Sequence, residues 1–144
     1  MTLIKLTKLT GMAAISVLLS ACTQVGDAVV ARAMSLAAND QIMLVRREPA
    51  SFGFLRLASQ AKSHPDLQTF ISTRGLPDFL AETSNRDRQY FILYFLKGRQ
   101  AFACRTRSEN SQAVEFSGPY PITDKEFRLL DGFRKNPNQA PIKL

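Results

Sequence analysis

Apolar side chains along this chain follow two rhythms. In the first half they return every three or four positions, the spacing of a helix face; from Tyr90 onward they run together or alternate, the spacing of strands. Val25, Val29, Ala33, Leu36 and Ala37 share one helical side, and Asn39-Asp40 closes it. Ile42 to Val45 is an apolar run of four, too short for periodicity to separate a strand from a helix end. Ser51 is placed to cap a helix reaching Lys62, with Phe54, Leu55, Ala58 and Ala61 on one side. Gly53 weakens it by about 1 kcal/mol. Another helix opens at Ser63-His64-Pro65-Asp66, where a small polar residue, a first-turn proline and an acid favour initiation. Leu67, Phe70 and Ile71 form its apolar face. Arg74 suits its negative end, Gly75 and Pro77 stop it, and Asp78 to Glu82 reads as one further turn.

The strand region begins with YFILYFL, Tyr90 to Leu96. Lys97 to Gln100 makes a hairpin connection, and QAFACRTR follows with Phe102, Cys104 and Thr106 alternating against Ala101, Ala103, Arg105 and Arg107. Ser108 to Gln112 is a polar turn before a third strand, Ala113 to Phe116. Two prolines in GPYPIT exclude a continuing central strand. Thr123-x-x-Glu126 is a capping box, and Phe127, Leu130 and Phe133, with Leu129, line a last helix ending near Lys135. The expected fold is α+β: helices packed on a three-stranded antiparallel meander, with a C-terminal helix. Residues 136–144 read as a loose tail. In YFILYFL, Phe91, Leu93 and Phe95 point one way and Ile92, Tyr94 and Leu96 the other. Both faces therefore need cover, from the helices at Ser63 and Thr123 or from a docked partner.

The start of the chain is different in kind. Met1 to Lys8 carries two lysines and no acid, Gly11 to Leu19 is apolar, and Ser20-Ala21 are small, the three-part pattern of a secretory signal. The run is short of the roughly 20 apolar residues a spanning helix needs. Leu19-Ser20-Ala21-Cys22 resembles the lipobox of bacterial lipoproteins; the other reading is an ordinary signal with a chance cysteine beside its cut. The resemblance implies cleavage before Cys22, diacylglycerol on its thiol and acylation of the new amino terminus. It implies residues 1–21 as signal peptide, 22–40 as lipidated N-terminus and helical tether, 41–135 as one globular domain, and 136–144 as the tail. Thr23, in place of an aspartate, resembles the class moved to the outer membrane, facing the periplasm; the outer leaflet of the inner membrane is the other location.

Removal of the leader leaves 17 basic against 12 acidic side chains, a balance of +5. Such a surface suits lipid phosphates, acidic glycans or an acidic partner, or serves solubility alone. With Cys22 committed to lipid, Cys104 has no intramolecular disulfide partner and reads as a small buried hydrophobe. His64, the single histidine, reads as a solvent-facing turn residue; a catalytic role would need a nucleophile and an orienting acid beside it. The sequence gathers no ligand set for a metal and no phosphate-binding loop, and implies no cofactor and no nucleic-acid partner. Arg86 and Arg88 precede the first meander strand and Arg105 and Arg107 end the second. An antiparallel meander brings these four to one end, a candidate anion or partner site; strand-end charges also keep sheets from sticking together.

Helices followed by a meander behind a lipobox, with RGLPD at Arg74 to Asp78 ending a helix before an aromatic strand, resemble the small BamE-like (SmpA/OmlA) outer-membrane lipoproteins. The expected function is a non-enzymatic, lipid-anchored periplasmic module that binds or supports an envelope protein. The alternatives are a cell-wall-directed hydrolase or inhibitor, and an accessory of a secretion or conjugation system.

Overall fold

The computed structural model describes residues 29–30, 33–34, 36–108 and 111–144, in two units, Met1–Ala37 and Ala38–Leu144. The leader, Cys22 and Val25 lie outside the described residues. The described residues of the first unit are helical, and Val29, Val30 and Leu36 among them are exposed.

The second unit is α+β around one antiparallel sheet of six strands rather than three. In chain order it holds β1 (Gln41–Leu44), α1 (Phe52–Ser63), α2 (Pro65–Arg74), β2 (Phe79–Ser84), β3 (Gln89–Phe95), β4 (Gln100–Thr106), β5 (Val114–Pro121), α3 (Asp124–Lys135) and β6 (Ile142–Lys143). The spatial order is β5-β4-β3-β2-β1-β6. Phe79 to Glu82 is therefore strand rather than a helical turn, with Asp78 in the bend before it. Phe79 and Leu80 are drawn into the sheet because β1 pairs with them on one side and β3 on the other. The expected loose tail returns as β6 on the open edge of β1, tied by Leu144 N–H to Asp40 O at 3.1 Å.

Tyr90 to Phe95 of YFILYFL lie in β3, two strands in from one edge and three from the other, and both faces of the run are covered. Phe91 and Leu93 join Met43, Leu57, Leu67, Leu80 and Cys104 in a cluster under α1 and α2. Tyr94 and Leu96 join Ile42, Phe79, Ala101, Leu130 and Phe133 in a cluster under α3. The strand is apolar on both sides because helices lie on both sides. Each fully buried large side chain here, Phe79, Phe91, Leu67 and Leu93 among them, contributes about 1.5–3 kcal/mol on leaving water.

Local sequence sets the helix ends. Ser51 Oγ accepts from Phe54 N–H at 3.2 Å and donates to Leu44 O at 2.6 Å, so one hydroxyl caps α1 and fastens it to β1. The buried side of α1 is Gly53, Arg56, Leu57, Gln60 and Ala61; Leu55, expected there, is half exposed at 49%. The helix is turned so that Gly53 meets the sheet: a Cβ at that position would run into the Leu44 carbonyl oxygen. At α3 both halves of the Thr123/Glu126 box form. β5 tolerates Pro119 and Pro121 because it is an edge strand, and a register shift opposite Ala101 and Ala103 accommodates Gly118 at φ 119°.

Candidate functional site

Antiparallel register places the four arginines together. Arg105 lies opposite Tyr90 on one side and Glu115 on the other. The turn from β2 to β3 is closed by Asn85, whose Oδ1 accepts from Asp87 N–H at 3.0 Å and Arg88 N–H at 2.9 Å. The turn thus presents Arg86 and Arg88 at the end of the sheet where β4 finishes with Arg105 and Arg107. Gln89 N–H bonds Thr106 Oγ1 at 3.1 Å across that end.

The four are not equivalent. Arg105 Nε is 2.7 Å from Glu115 Oε2, and Arg107 Nε is 3.3 Å from Glu115 Oε1. Hydrogen bonding from Arg105, and then its charge, hold the Glu115 carboxyl below the usual range. All three side chains are solvated, so the pairing is worth little in stability, but it halves the free charge of the pair of arginines. Arg86 is exposed and Arg88 half-buried; neither forms an ion pair among the described residues.

Residues 39 and 40, near the start of the second unit, are held at the same end. Asp40 N–H bonds Glu82 O at 2.8 Å, Thr83 Oγ1 donates to Asp40 Oδ1 at 2.6 Å, and Ser84 N–H donates to Asn39 Oδ1 at 2.8 Å. Residues 39 and 40 are thereby pinned beside the turn that carries Arg86 and Arg88.

Between them the α3 face of the sheet changes character. Phe79, Tyr94 and Ala101 form one cross-strand row beneath α3, and burial, followed by the negative charge of Glu126 of α3, raises the Tyr94 hydroxyl pKa. Two rows further along come Thr83, Tyr90, Arg105 and Glu115, none of them buried. A cleft of about 300 Å³ opens there beside Tyr90, Ala103, Arg105, Glu115 and Ser117.

The opposite end of the sheet, at the β3–β4 hairpin, is built differently. The Arg74 guanidinium lies 4.4 Å from the Phe102 ring centroid and 5.6 Å from that of Phe70; Arg99 lies 4.2 Å from that of Phe127. An open cleft of about 700 Å³ there has Arg74, Lys97, Gln100 and one acid, Asp78, on its polar side and Leu76, Phe95 and Phe102 on its apolar side. Such a surface can take an anionic group attached to an apolar or planar one.

His64 is buried rather than solvent-facing, because the α1–α2 corner folds over β3. Its Nδ1 is 3.3 Å from Gln112 O and its ring 6.1 Å from Phe91. Ser63 turns away to Ser59 O, and Asp66 accepts from Val114 N–H. Cys104 is buried, and desolvation pushes its thiol up to about 12. No group of three or more His, Cys, Asp or Glu among the described residues is placed to hold a metal ion.

One constellation escaped the sequence. Arg56 and Gln60 of α1 reach Glu82 of β2: Arg56 Nε to Glu82 Oε2 is 2.8 Å, Arg56 Nη2 to Oε1 2.5 Å, and Gln60 Nε2 to Oε1 3.1 Å. All three residues are buried. The available signal was the four-residue spacing of Arg56 and Gln60 on the Gly53/Leu57/Ala61 side of the helix.

No protein-family model, curated protein or solved structure matches the chain. No helix among the described residues is long and apolar enough to cross a membrane.

Proposed function

We propose that this chain is a lipid-anchored periplasmic module, held at the outer membrane through Cys22, that binds or supports an envelope protein without catalysing a reaction. The observation that carries the reading is the lipobox Leu19-Ser20-Ala21-Cys22, ending sixteen positions before Ala38, where the α+β unit starts. Anchoring confines that unit to a layer at the bilayer surface, and confinement on a short linker corresponds to a millimolar effective concentration. A partner surface of modest affinity is then sufficient. With both faces of β3 under helices, the partner surface of this reading is the hairpin-end cleft with Arg74, Lys97 and Phe102, which suits an acidic segment bearing apolar side chains. The resemblance to BamE-like lipoproteins makes an outer-membrane assembly component the first class of partner to seek.

Labelled palmitate separates the anchored from the unanchored form. The wild-type chain takes up label and fractionates with membranes, and Cys22→Ser takes up none. A wild-type chain that is unlabelled and soluble in the periplasm overturns the anchor. Crosslinking in intact cells then reads the partner: Arg74→Glu with Lys97→Glu weakens capture of an envelope protein, and unchanged capture removes the hairpin end as the docking surface.

A further inference from the structure

We propose that the arginine end of the sheet rests on the bilayer and binds the phosphate groups of anionic lipids, so that the hairpin end points away from the membrane. This rests on the lipid-anchored reading and adds an orientation to it.

The entry point of the chain is the first ground. A hydrogen bond from Asp40 N–H to Glu82 O and hydrogen bonds from Thr83 and Ser84 fix residues 39 and 40 at the β2–β3 turn. Cys22 is sixteen positions before Ala38, at most roughly 55 Å of chain. Attachment of the tether at this end favours its approach to the surface, and the charge of the end then decides the orientation. The hairpin at Lys97–Gln100 lies a further seven strand residues away along β3, about 23 Å.

Charge and surface texture are the second ground. Arg86, Arg88, Arg105 and Arg107 share this end, and Lys143, opposite Gln41, adds a fifth cation. Glu115 is shared by Arg105 and Arg107, while Asp40, Asp66 and Asp87 keep their charge, Asp40 and Asp66 accepting only from the Thr83 hydroxyl and Val114 N–H; five cations thus stand against four carboxylates, a small positive excess carried by Arg86 and Arg88, which form no ion pair among the described residues. Tyr90, only partly buried beside Arg105, supplies an aromatic ring with a polar tip, the side chain that settles at headgroup depth. Cations near an anionic leaflet each contribute on the order of 1 kcal/mol. That is weak for a free protein and ample for one already confined by acyl chains. The hairpin end also carries cations, but its guanidinium groups are stacked on Phe102, Phe70 and Phe127, and the tether enters at the other end.

The buried Cys104 thiol and an acylated Cys22 leave a newly introduced cysteine as the reactive one. Ser108→Cys at the arginine end and Lys97→Cys at the hairpin each carry a fluorophore in the acylated full-length protein. Each is reconstituted into vesicles of phosphatidylcholine alone or with phosphatidylglycerol, containing a headgroup-linked quencher. The expected result is strong quenching at residue 108 and weak quenching at residue 97, dependent on phosphatidylglycerol and reduced by salt. Arg86→Gln with Arg88→Gln lowers the surface-bound to free ratio roughly thirtyfold. Equal quenching at both positions, or no dependence on phosphatidylglycerol, overturns the orientation. The two readings fail separately. A protein without acyl mass that does not enter vesicles removes the anchor; an acylated, incorporated protein whose two labels respond alike removes only the orientation.

Discussion

Glu82 lies in a cross-strand row with Gln41, Phe91, Cys104 and Phe116, beneath helix α1. A carboxylate there is tolerable only because Arg56 grips both oxygens and Gln60 adds a donor. Removing one partner leaves a buried charge without its counterpart. Glu82→Leu is expected to lower unfolding free energy by about 3–5 kcal/mol, and adding Arg56→Met to restore much of it, since apolar replacement of a whole buried pair is close to neutral. Urea denaturation of both single variants and the double variant reads this directly; additive losses would show that the pair is not coupled. Cys104, in the same row, gives a chemical readout of the same core. Its pKa of about 12 keeps the thiol protonated across neutral pH, so alkylation in the native state is expected to be slow and to rise with denaturant along the unfolding curve. These buried positions were only half legible. Cys104 follows from strand alternation, whereas arginine, glutamine and glutamate are assigned to solvent by any hydropathy pattern, and their burial depends on a pairing between α1 and β2 that no local signal encodes.

Elements defined by local chemistry were legible, and those defined by their neighbours were not. The box at Thr123 and Glu126 is a matter of four consecutive residues, and it forms as read. Phe79 to Ser84 and Ile142-Lys143 become strands only because β1 stands between them to be paired, and the prolines and short length of the tail conceal its last bridge. Two variants test this scale. Thr123→Ala is expected to cost about 1 kcal/mol. The Glu126 carboxyl is held below its ordinary value by hydrogen bonds from Thr123, so its share of the cap is present above about pH 4.5 and is lost as pH falls through the lower folded value. The melting-temperature gap between wild type and Thr123→Ala should therefore narrow in acid; a gap independent of pH would place the effect in the hydroxyl alone. Gly53→Ala reverses the usual sign. Helix propensity favours alanine by about 1 kcal/mol, but the new methyl would meet Leu44 O and Met43 Cβ. Overpacking of about 1–3 kcal/mol wins, and the urea midpoint is expected to fall.

At the scale of the whole α+β unit, the two hydrophobic clusters are separate in space but not in chain. β2, β3 and β4 send alternate side chains into both: Leu80, Leu93 and Cys104 toward α1 and α2, Phe79, Tyr94 and Ala101 toward α3. The unbroken YFILYFL run is the sequence trace of this sharing, and it makes the need for two-sided cover, with the helices at Ser63 and Thr123 as candidates for it, readable from the sequence. Strands held from both sides cannot lose one cluster and keep the other, because loss of either exposes one whole face of the same backbone ladder. Ala38–Leu144 is therefore expected to unfold in a single transition. Leu67→Ala on the α2 side and Leu130→Ala on the α3 side, both at fully buried positions, should each cost about 2–5 kcal/mol. Each should also shift far-ultraviolet and near-ultraviolet dichroism by the same amount. A variant in which α3 melts while the helical signal of α1 and α2 persists would show that the sheet does not transmit the loss, and that the clusters are independent layers on a shared support.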